Sequence, residues 1–177
     1  MYDDDPLTPE ELETGRLVWP PYVVGGTSTG KLSERQARQI RANYGAKLSM
    51  IDHHLGRLLD ELDAQDLWDT TAVIVCTDHG HYLGDRRSTD GSGDGERRDI
   101  WGKPGVPQFE PLGHTPLMIH WPGAERREVT ALSTNVDLHA TIADAFGVEA
   151  QHRTHGRSLV PLLTGSADSV RDWAIGG

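Results

Sequence analysis

The longest regular pattern in the chain is an apolar stripe that recurs every three or four residues after Ser33. This spacing places the side chains on one face of an α-helix. Ser33 and Gln36 have capping-box spacing, in which each side chain satisfies a free main-chain N–H of the first turn. We therefore predict a helix from Ser33 to Asp63 whose stripe packs into a core, formed by Ile40, Tyr44, Leu48, Ile51, Leu55, Leu58, Leu59 and Leu62.

Short apolar runs after this helix predict β-strands. Residues 72–77 are apolar and partly β-branched, which is typical of a buried parallel strand. Residues 116–121 form a second such run, and residues 129–132 are a third candidate. Functional side chains collect at the carboxyl ends of parallel strands, and the first run ends at Asp78.

The segments between and after these runs complete the predicted fold. Residues 84–112 are rich in Gly, Ser and Asp and predict a long surface loop. Thr134 is placed to cap a helix that runs to residue 146 and is closed by Gly147. The order of elements predicts an α/β fold, with a mostly parallel sheet flanked by helices.

The net charge and the lengths of the apolar stretches indicate which classes of partner the chain can bind. The 177 residues carry a net charge of −10 with acidic groups spread along the chain, whereas a non-specific nucleic-acid binder needs a basic footprint. We therefore expect no nucleic-acid partner, although a few local cations can still hold a small anionic substrate. No stretch approaches the roughly 20 apolar residues that span a bilayer, so we expect no membrane partner either.

The single cysteine, Cys76, excludes a disulfide within these 177 residues. A lone cysteine is typical of a reducing compartment, and residues 1–5 lack the cationic start of a signal peptide. Both observations favour a cytoplasmic location. Because Cys76 lies inside an apolar strand, we expect it to be a small buried residue rather than a nucleophile.

Asp78 and His79 are the first candidates for chemistry. A carboxylate oxygen and an imidazole nitrogen together suit a divalent cation, and Gly80 permits the sharp turn that lets both face one site. The alternative is a simple turn in which Asp78 caps the next segment and His79 is solvated. His81, two residues further on, is a candidate to line the opening of the same site.

Lys103 and His114 add the groups that an anionic tetrahedral ester requires. Lys103 lies in a tightly turned Gly-Lys-Pro-Gly setting, and His114 precedes the second apolar strand. A lysine supplies a point charge and a histidine supplies a proton. The alternatives are a solvated surface lysine and a loop histidine bonded to the main chain.

Six segments, in order, resemble the sulfatases, a branch of the alkaline-phosphatase-like metallohydrolases. Residues 70–80 resemble the family's strand and Asp-His-Gly turn, and residues 136–147 resemble its "vDl.pTll...G" helix. The resemblance extends from about residue 33 to 165. The other segments are residues 43–59, 83–85 (which continue the Asp-His-Gly turn), 102–103, 114–123 and 156–163.

The resemblance implies roles for individual residues. Asp78 and His79 correspond to two ligands of a divalent cation, which is Ca²⁺ in most members, with Mg²⁺ and Mn²⁺ as alternatives. Lys103 corresponds to the lysine that contacts the sulfate. From their own positions in the sequence, His114 and His81 are expected to join it in binding the substrate. The family's remaining ligands are an N-terminal acidic pair and a formylglycine made in a C/S-x-P-S-R motif, which these 177 residues lack.

These observations predict the C-terminal part of a sulfate-ester hydrolase, with an alkaline-phosphatase-like fold that is incomplete on its N-terminal side. We expect a lead-in at 1–32, a partial catalytic domain at 33–165 and a tail at 166–177. The isolated chain should be inactive and should self-associate through an exposed sheet edge. The alternatives are a phosphonate monoester or phosphodiester hydrolase of the same superfamily, and a catalytically incomplete fragment or binding module.

Overall fold

The computed structural model of the chain describes residues 34–89, 97–103, 109–149 and 152–175, so the predicted lead-in and Ser33 lie outside the described residues. Contacts divide the chain into a first unit, residues 1–66 and 79–115, and a second unit, residues 67–78 and 116–177. No described helix combines the length and apolar character needed to cross a bilayer. The helices are α1 (Glu34–Ala64), α2 (Glu110–Gly113), α3 (Val136–Ala145) and α4 (Val160–Leu163), and the strands are β1 (Val73–Cys76), β2 (Tyr82–Thr89), β3 (Arg97–Gly102) and β4 (Leu117–His120).

Helix α1 confirms the predicted long helix, but its apolar stripe is only partly a core. Ile40 is 6% exposed, whereas Leu48 and Ile51 are more than half exposed. The expectation that the whole stripe is buried is therefore wrong in this structure. The reason is length: the 31-residue helix is about 46 Å long, whereas the 8-residue strand β2 against which it packs spans only about 27 Å and cannot cover the whole stripe.

Strands β2 and β3 form an antiparallel hairpin in which Tyr82 pairs with Gly102 and Leu83 with Trp101. Tyr82 and Ile100 are fully buried and pack with Leu112 of α2 in the core of the first unit. The prediction of a surface loop over residues 84–112 is therefore wrong for these elements. The polar run that follows Leu83 has no apolar alternation, so periodicity gave no sign of β2.

The hairpin is fixed to α1 through Arg41. The Nε of Arg41 donates a hydrogen bond of 2.8 Å to the main-chain carbonyl of Leu83, and its guanidinium lies 5.3 Å from the ring centroid of Trp101. Gly84 permits this packing, since its φ is +76° and a Cβ there would lie 2.3 Å from the Trp101 ring. These contacts fix the hairpin to one side of α1.

In the second unit, β1 and β4 pair antiparallel, with Val73 opposite His120 and Cys76 opposite Leu117. The predicted positions of these two strands are confirmed. The mostly parallel sheet is not confirmed, because both strand pairs among the described residues are antiparallel. Cys76 is exposed, so the expectation of a buried cysteine is wrong; a two-stranded ribbon covers its last residue poorly.

Helix α3 begins and ends close to the predicted positions. Gly147 closes it with φ +63°, and the N–H of Val148 donates to the carbonyl of Ala143 at 2.8 Å. The predicted side-chain cap from Thr134 is wrong, because the carboxylate of Asp137 instead accepts the main-chain N–H of Thr134 at 2.8 Å. The third strand predicted at 129–132 is also wrong, since that segment forms no strand.

The buried carboxylate of Asp137 holds the second unit together. The carboxylate accepts a hydrogen bond of 2.8 Å from the main-chain N–H of Arg157 and further hydrogen bonds from the guanidinium of Arg171. The main-chain carbonyl of Asp137 accepts a hydrogen bond from the hydroxyl of Thr141. Thr141 in turn accepts the N–H of Leu159 at 2.9 Å. These bonds join the segment at 136–138 to the segment at 156–163.

Candidate functional site

Gly80 lets helix α2 approach the segment that follows β1. Its main-chain N–H donates a hydrogen bond of 2.9 Å to the carbonyl of Leu112. A Cβ on residue 80 would lie 1.7 Å from the carbonyl oxygen of Pro111, so any other side chain would displace α2. The approach matters for the site because His79 precedes Gly80, and His114 follows Leu112 by two residues.

The register of the hairpin brings Lys103 beside His79. Because Tyr82 pairs with Gly102, the residues just before β2 lie next to the residues just after β3. The Nζ of Lys103 lies 3.0 Å from the Nε2 of His79. The structure thus joins two residues, 24 positions apart, that were predicted separately from the sequence.

The partners of the His79 ring define its tautomer. Its Nδ1 lies 2.7 Å from the carbonyl oxygen of Gly80, which can only accept a hydrogen bond. Nδ1 therefore carries the proton, and Nε2 offers a lone pair to the ammonium of Lys103. Metal-binding histidines commonly have one ring nitrogen held by a main-chain carbonyl or a carboxylate in this way.

His81 lies on the same side of the first unit, half-buried against α1. Its ring stacks on Tyr44 with centroids 5.6 Å apart. Burial lowers the pKa of His81 below its usual value, and the positive charges of Lys103 and Lys47 act in the same direction. His81 is therefore held as a neutral ring close to the His79 and Lys103 pair.

His114 is exposed and lies just after α2. Its Nδ1 donates a hydrogen bond of 2.8 Å to the Oε2 of Glu110, one helical turn earlier. A carboxylate on Nδ1 orients the ring. The Nε2 nitrogen of His114 is then the one suited to exchange a proton with a substrate.

Asp78 belongs to the second unit and is exposed at the end of β1. Its Oδ1 accepts a weak hydrogen bond of 3.4 Å from the hydroxyl of Thr77. Its main-chain carbonyl accepts a bond of 2.7 Å from the side-chain amide of Asn135. Among the residues that the structure describes, no group of three or more His, Cys, Asp or Glu side chains could hold a metal ion.

Three residues that contact the candidate site residues, within one unit or the other, were missed in the sequence analysis. Glu110 orients His114, Tyr44 supports His81, and Asn135 binds the main chain at Asp78. Only Asn135 carried a signal, because it immediately precedes the Val136-Asp137-Leu138 motif. Glu110 lay in the segment that was expected to be a loop, and Tyr44 matched the core stripe of α1.

Comparison with known proteins gives concordant matches. The sequence profile of the sulfatase family matches residues 17–148. The chain is 32% identical over 137 residues to a choline-sulfatase of Rhizobium meliloti and 30% identical over 154 residues to an N-acetylglucosamine-6-O-sulfatase of Bacteroides thetaiotaomicron. Its structure is similar to a phosphonate monoester hydrolase from Silicibacter pomeroyi, with a TM-score of 0.65 and 32% identity.

These matches cover most of this chain but a minor part of each relative. They include 76%, 86% and 82% of the chain, in the order given above. The chain spans 24%, 25% and 26% of the three relatives. It therefore corresponds to about a quarter of the length of each.

Proposed function

The chain belongs to the sulfatase family of alkaline-phosphatase-like hydrolases, and we propose that it forms the C-terminal part of a metal-dependent enzyme that hydrolyses sulfate esters. Members of this family act on sulfate esters and generally use a divalent metal. In our proposal this chain supplies two of the metal ligands and part of the sulfate-binding site.

The observation that carries the proposal is the contact between Lys103 and His79. An ammonium group lies 3.0 Å from an imidazole nitrogen whose ring is oriented by the carbonyl of Gly80. His79, a proposed metal ligand, is thus adjacent to the ammonium group of Lys103, which would hold the substrate anion. Such an arrangement suits an ester whose non-bridging oxygens carry negative charge while a bond to sulfur breaks.

Each side chain has a distinct part in the proposed reaction. Lys103 binds a sulfate oxygen and stabilises the negative charge that develops in the transition state. His114, oriented by Glu110, donates a proton to the departing oxygen or a hydrogen bond to the sulfate. His81, kept neutral by burial, donates or accepts a hydrogen bond at the same substrate without adding charge.

Asp78 and His79 fit a divalent cation by the chemistry of their donor atoms. Because Nδ1 of His79 is bound to the carbonyl of Gly80, Nε2 is the nitrogen that would bind the cation, in place of the contact that it makes here with Lys103. Asp78 supplies hard carboxylate oxygens. We propose Ca²⁺, with Mg²⁺ and Mn²⁺ as alternatives; when bound, such a cation polarises the ester oxygens as a Lewis acid.

A second candidate function is hydrolysis of a phosphonate monoester or phosphodiester. It is favoured by the similarity to the phosphonate monoester hydrolase, which covers 82% of this chain. Lys103 and His114 suit a phosphoryl oxygen as well as a sulfate oxygen, because both groups are tetrahedral anions. The cationic side chains therefore leave both reactions open to the same site.

The test compares leaving-group-matched substrates on the complete gene product that contains these residues. Turnover of 4-nitrophenyl sulfate is measured beside turnover of 4-nitrophenyl phenylphosphonate, with Lys103→Ala and His114→Ala variants for each. We expect faster turnover of the sulfate, with both variants impaired. Preference for the phosphonate would favour the second candidate. No turnover of either ester would contradict both and would favour a binding module.

A further inference from the structure

We propose that Asn135 is a positioning residue that fixes the end of β1, and through it the carboxylate of Asp78. Its side-chain Nδ2 donates a hydrogen bond of 3.2 Å to the carbonyl of Thr77 and one of 2.7 Å to the carbonyl of Asp78. An amide nitrogen has two hydrogens, so both are used on consecutive main-chain carbonyls. The inference rests on the proposed role of Asp78 as a metal ligand.

The Asn135 side chain does not cap helix α3, although the residue lies at the N-cap position. It occupies the N-cap position of α3, where asparagine commonly accepts a hydrogen bond from the first turn. Here the residue has helical dihedrals, φ −59° and ψ −27°, and makes no side-chain capping bond. Asp137 instead binds the main-chain N–H of Thr134 at the start of α3. The Asn135 amide is therefore directed to β1.

The helix turn that carries Asn135 is itself held firmly. Asp137, two residues further along, is fully buried and bonded to Arg171 and to the N–H of Arg157. At Gly156, a Cβ would lie 2.1 Å from the carbonyl oxygen of Val136, so the chain is packed closely here. An amide mounted on this turn can therefore restrain a neighbouring strand end rather than follow its motion.

Restraint of these two carbonyls has a direct consequence for Asp78. The carbonyls of Thr77 and Asp78 belong to the peptide planes on the two sides of the Asp78 Cα atom. Fixing both planes sets the direction of the Cα–Cβ bond and limits the positions open to the carboxylate. Groups that orient a ligand without touching the metal ordinarily change metal affinity by about 10-fold to 100-fold.

The test uses the 177-residue chain labelled with ¹⁵N and two variants, Asn135→Ala and Asn135→Leu. Leucine keeps the bulk of asparagine without its N–H donors, so a space-filling role predicts rescue by leucine and a hydrogen-bonding role does not. Two quantities are measured: main-chain amide exchange at residues 77–80, and the Mn²⁺ concentration that half-broadens the signals of Asp78 and His79. His139→Ala, an exposed change on α3, is the control, and thermal unfolding shows that each variant folds.

We expect both Asn135 variants to exchange faster at residues 77–80 and to require about 10-fold more Mn²⁺ than the unmodified chain. The control should match the unmodified chain in both measurements. Unchanged exchange, or rescue by leucine, would overturn the restraint. Faster exchange with unchanged Mn²⁺ broadening would reduce Asn135 to a structural contact and would leave the proposed function intact. If Mn²⁺ failed to broaden Asp78 in the unmodified chain, the inference would be overturned for this chain, whereas the proposed function would still be decided by turnover of the complete gene product.

Discussion

The guanidinium of Arg171 donates two hydrogen bonds to the carboxylate of Asp137 across 34 residues of sequence. The Asp137 side chain is fully buried and that of Arg171 is 9% exposed, so the pair is shielded from water. Two main-chain N–H groups complete the coordination of the carboxylate. The pair joins the predicted tail to the helix that carries the motif at 136–138.

Loss of one member of this pair should be strongly destabilising. Arg171→Met keeps much of the side-chain volume but leaves a buried carboxylate without its counter-charge, which costs about 3–5 kcal/mol of unfolding free energy. Urea unfolding followed by circular dichroism measures the change. Arg126→Met, a change at an exposed arginine, is the matched control and should shift stability by less than about 0.5 kcal/mol. Equal effects of the two variants would show that the pair contributes nothing special.

Substitutions of Asp78 and Lys103 should have different effects on metal content and turnover when both are measured in the complete gene product. Asp78→Ala removes a charged ligand, so we expect both metal content and turnover to fall by orders of magnitude. Lys103→Ala removes charge stabilisation but no ligand, so metal content should stay near normal while turnover falls about 100-fold or more. Elemental analysis beside initial rates decides this. Full metal occupancy and normal turnover in Asp78→Ala would return Asp78 to the role of a turn residue.

Replacements of His79 should rank by the donor atoms that they retain. His79→Asn should preserve more metal binding than His79→Ala, since an amide oxygen can replace an imidazole nitrogen around a hard cation. The comparison is made by calorimetric titration of the metal-free gene product with Ca²⁺. If asparagine and alanine weakened binding equally, the side chain at position 79 would not contact the cation.

The isolated 177-residue chain should self-associate. Strands β1 and β4 form a two-stranded sheet within the described residues, and Met118 on β4 is 59% exposed. Exposed strand edges pair readily with other chains. We expect light scattering to report oligomers and Met118→Lys to shift them towards monomer. Met50→Lys, at a residue 57% exposed on α1, is the control and should have less effect. A monomer with one cooperative melt would contradict this prediction.

The isolated chain should also fail to hydrolyse a generic aryl sulfate. Its sequence has no C/S-x-P-S-R motif from which the family's nucleophile is made, and a covalent mechanism requires a nucleophile. The measurement is turnover against protein concentration, with Cys76→Ala as the control variant. Activity that survives Cys76→Ala would exclude a formylglycine mechanism. Activity that this change abolishes would identify the exposed Cys76 as the reacting group.

The sequence by itself determined the elements whose pattern is local. The 3.6-residue periodicity was enough to predict α1, because every turn of the helix repeats the same choice between apolar and polar. The short β-branched run was enough to predict β1. Gly147 was enough to predict the end of α3, because its φ of +63° is costly for other residues. Candidate chemistry followed from residue types and from resemblance, so Asp78 and Lys103 could be named before any geometry.

Only the tertiary structure decided which of these elements meet. The pairing of β1 with β4 is antiparallel, a choice that depends on partners 41 to 47 residues apart and not on either sequence alone. The contact of Lys103 with His79 depends on the hairpin register, and Asn135 reaches Thr77 across 58 residues. Polar side chains carry no periodicity that reveals their partners. Their hydrogen bonds need segments that are distant in sequence to lie together, as the packing of apolar residues such as Tyr82, Ile100 and Leu112 does in the first unit.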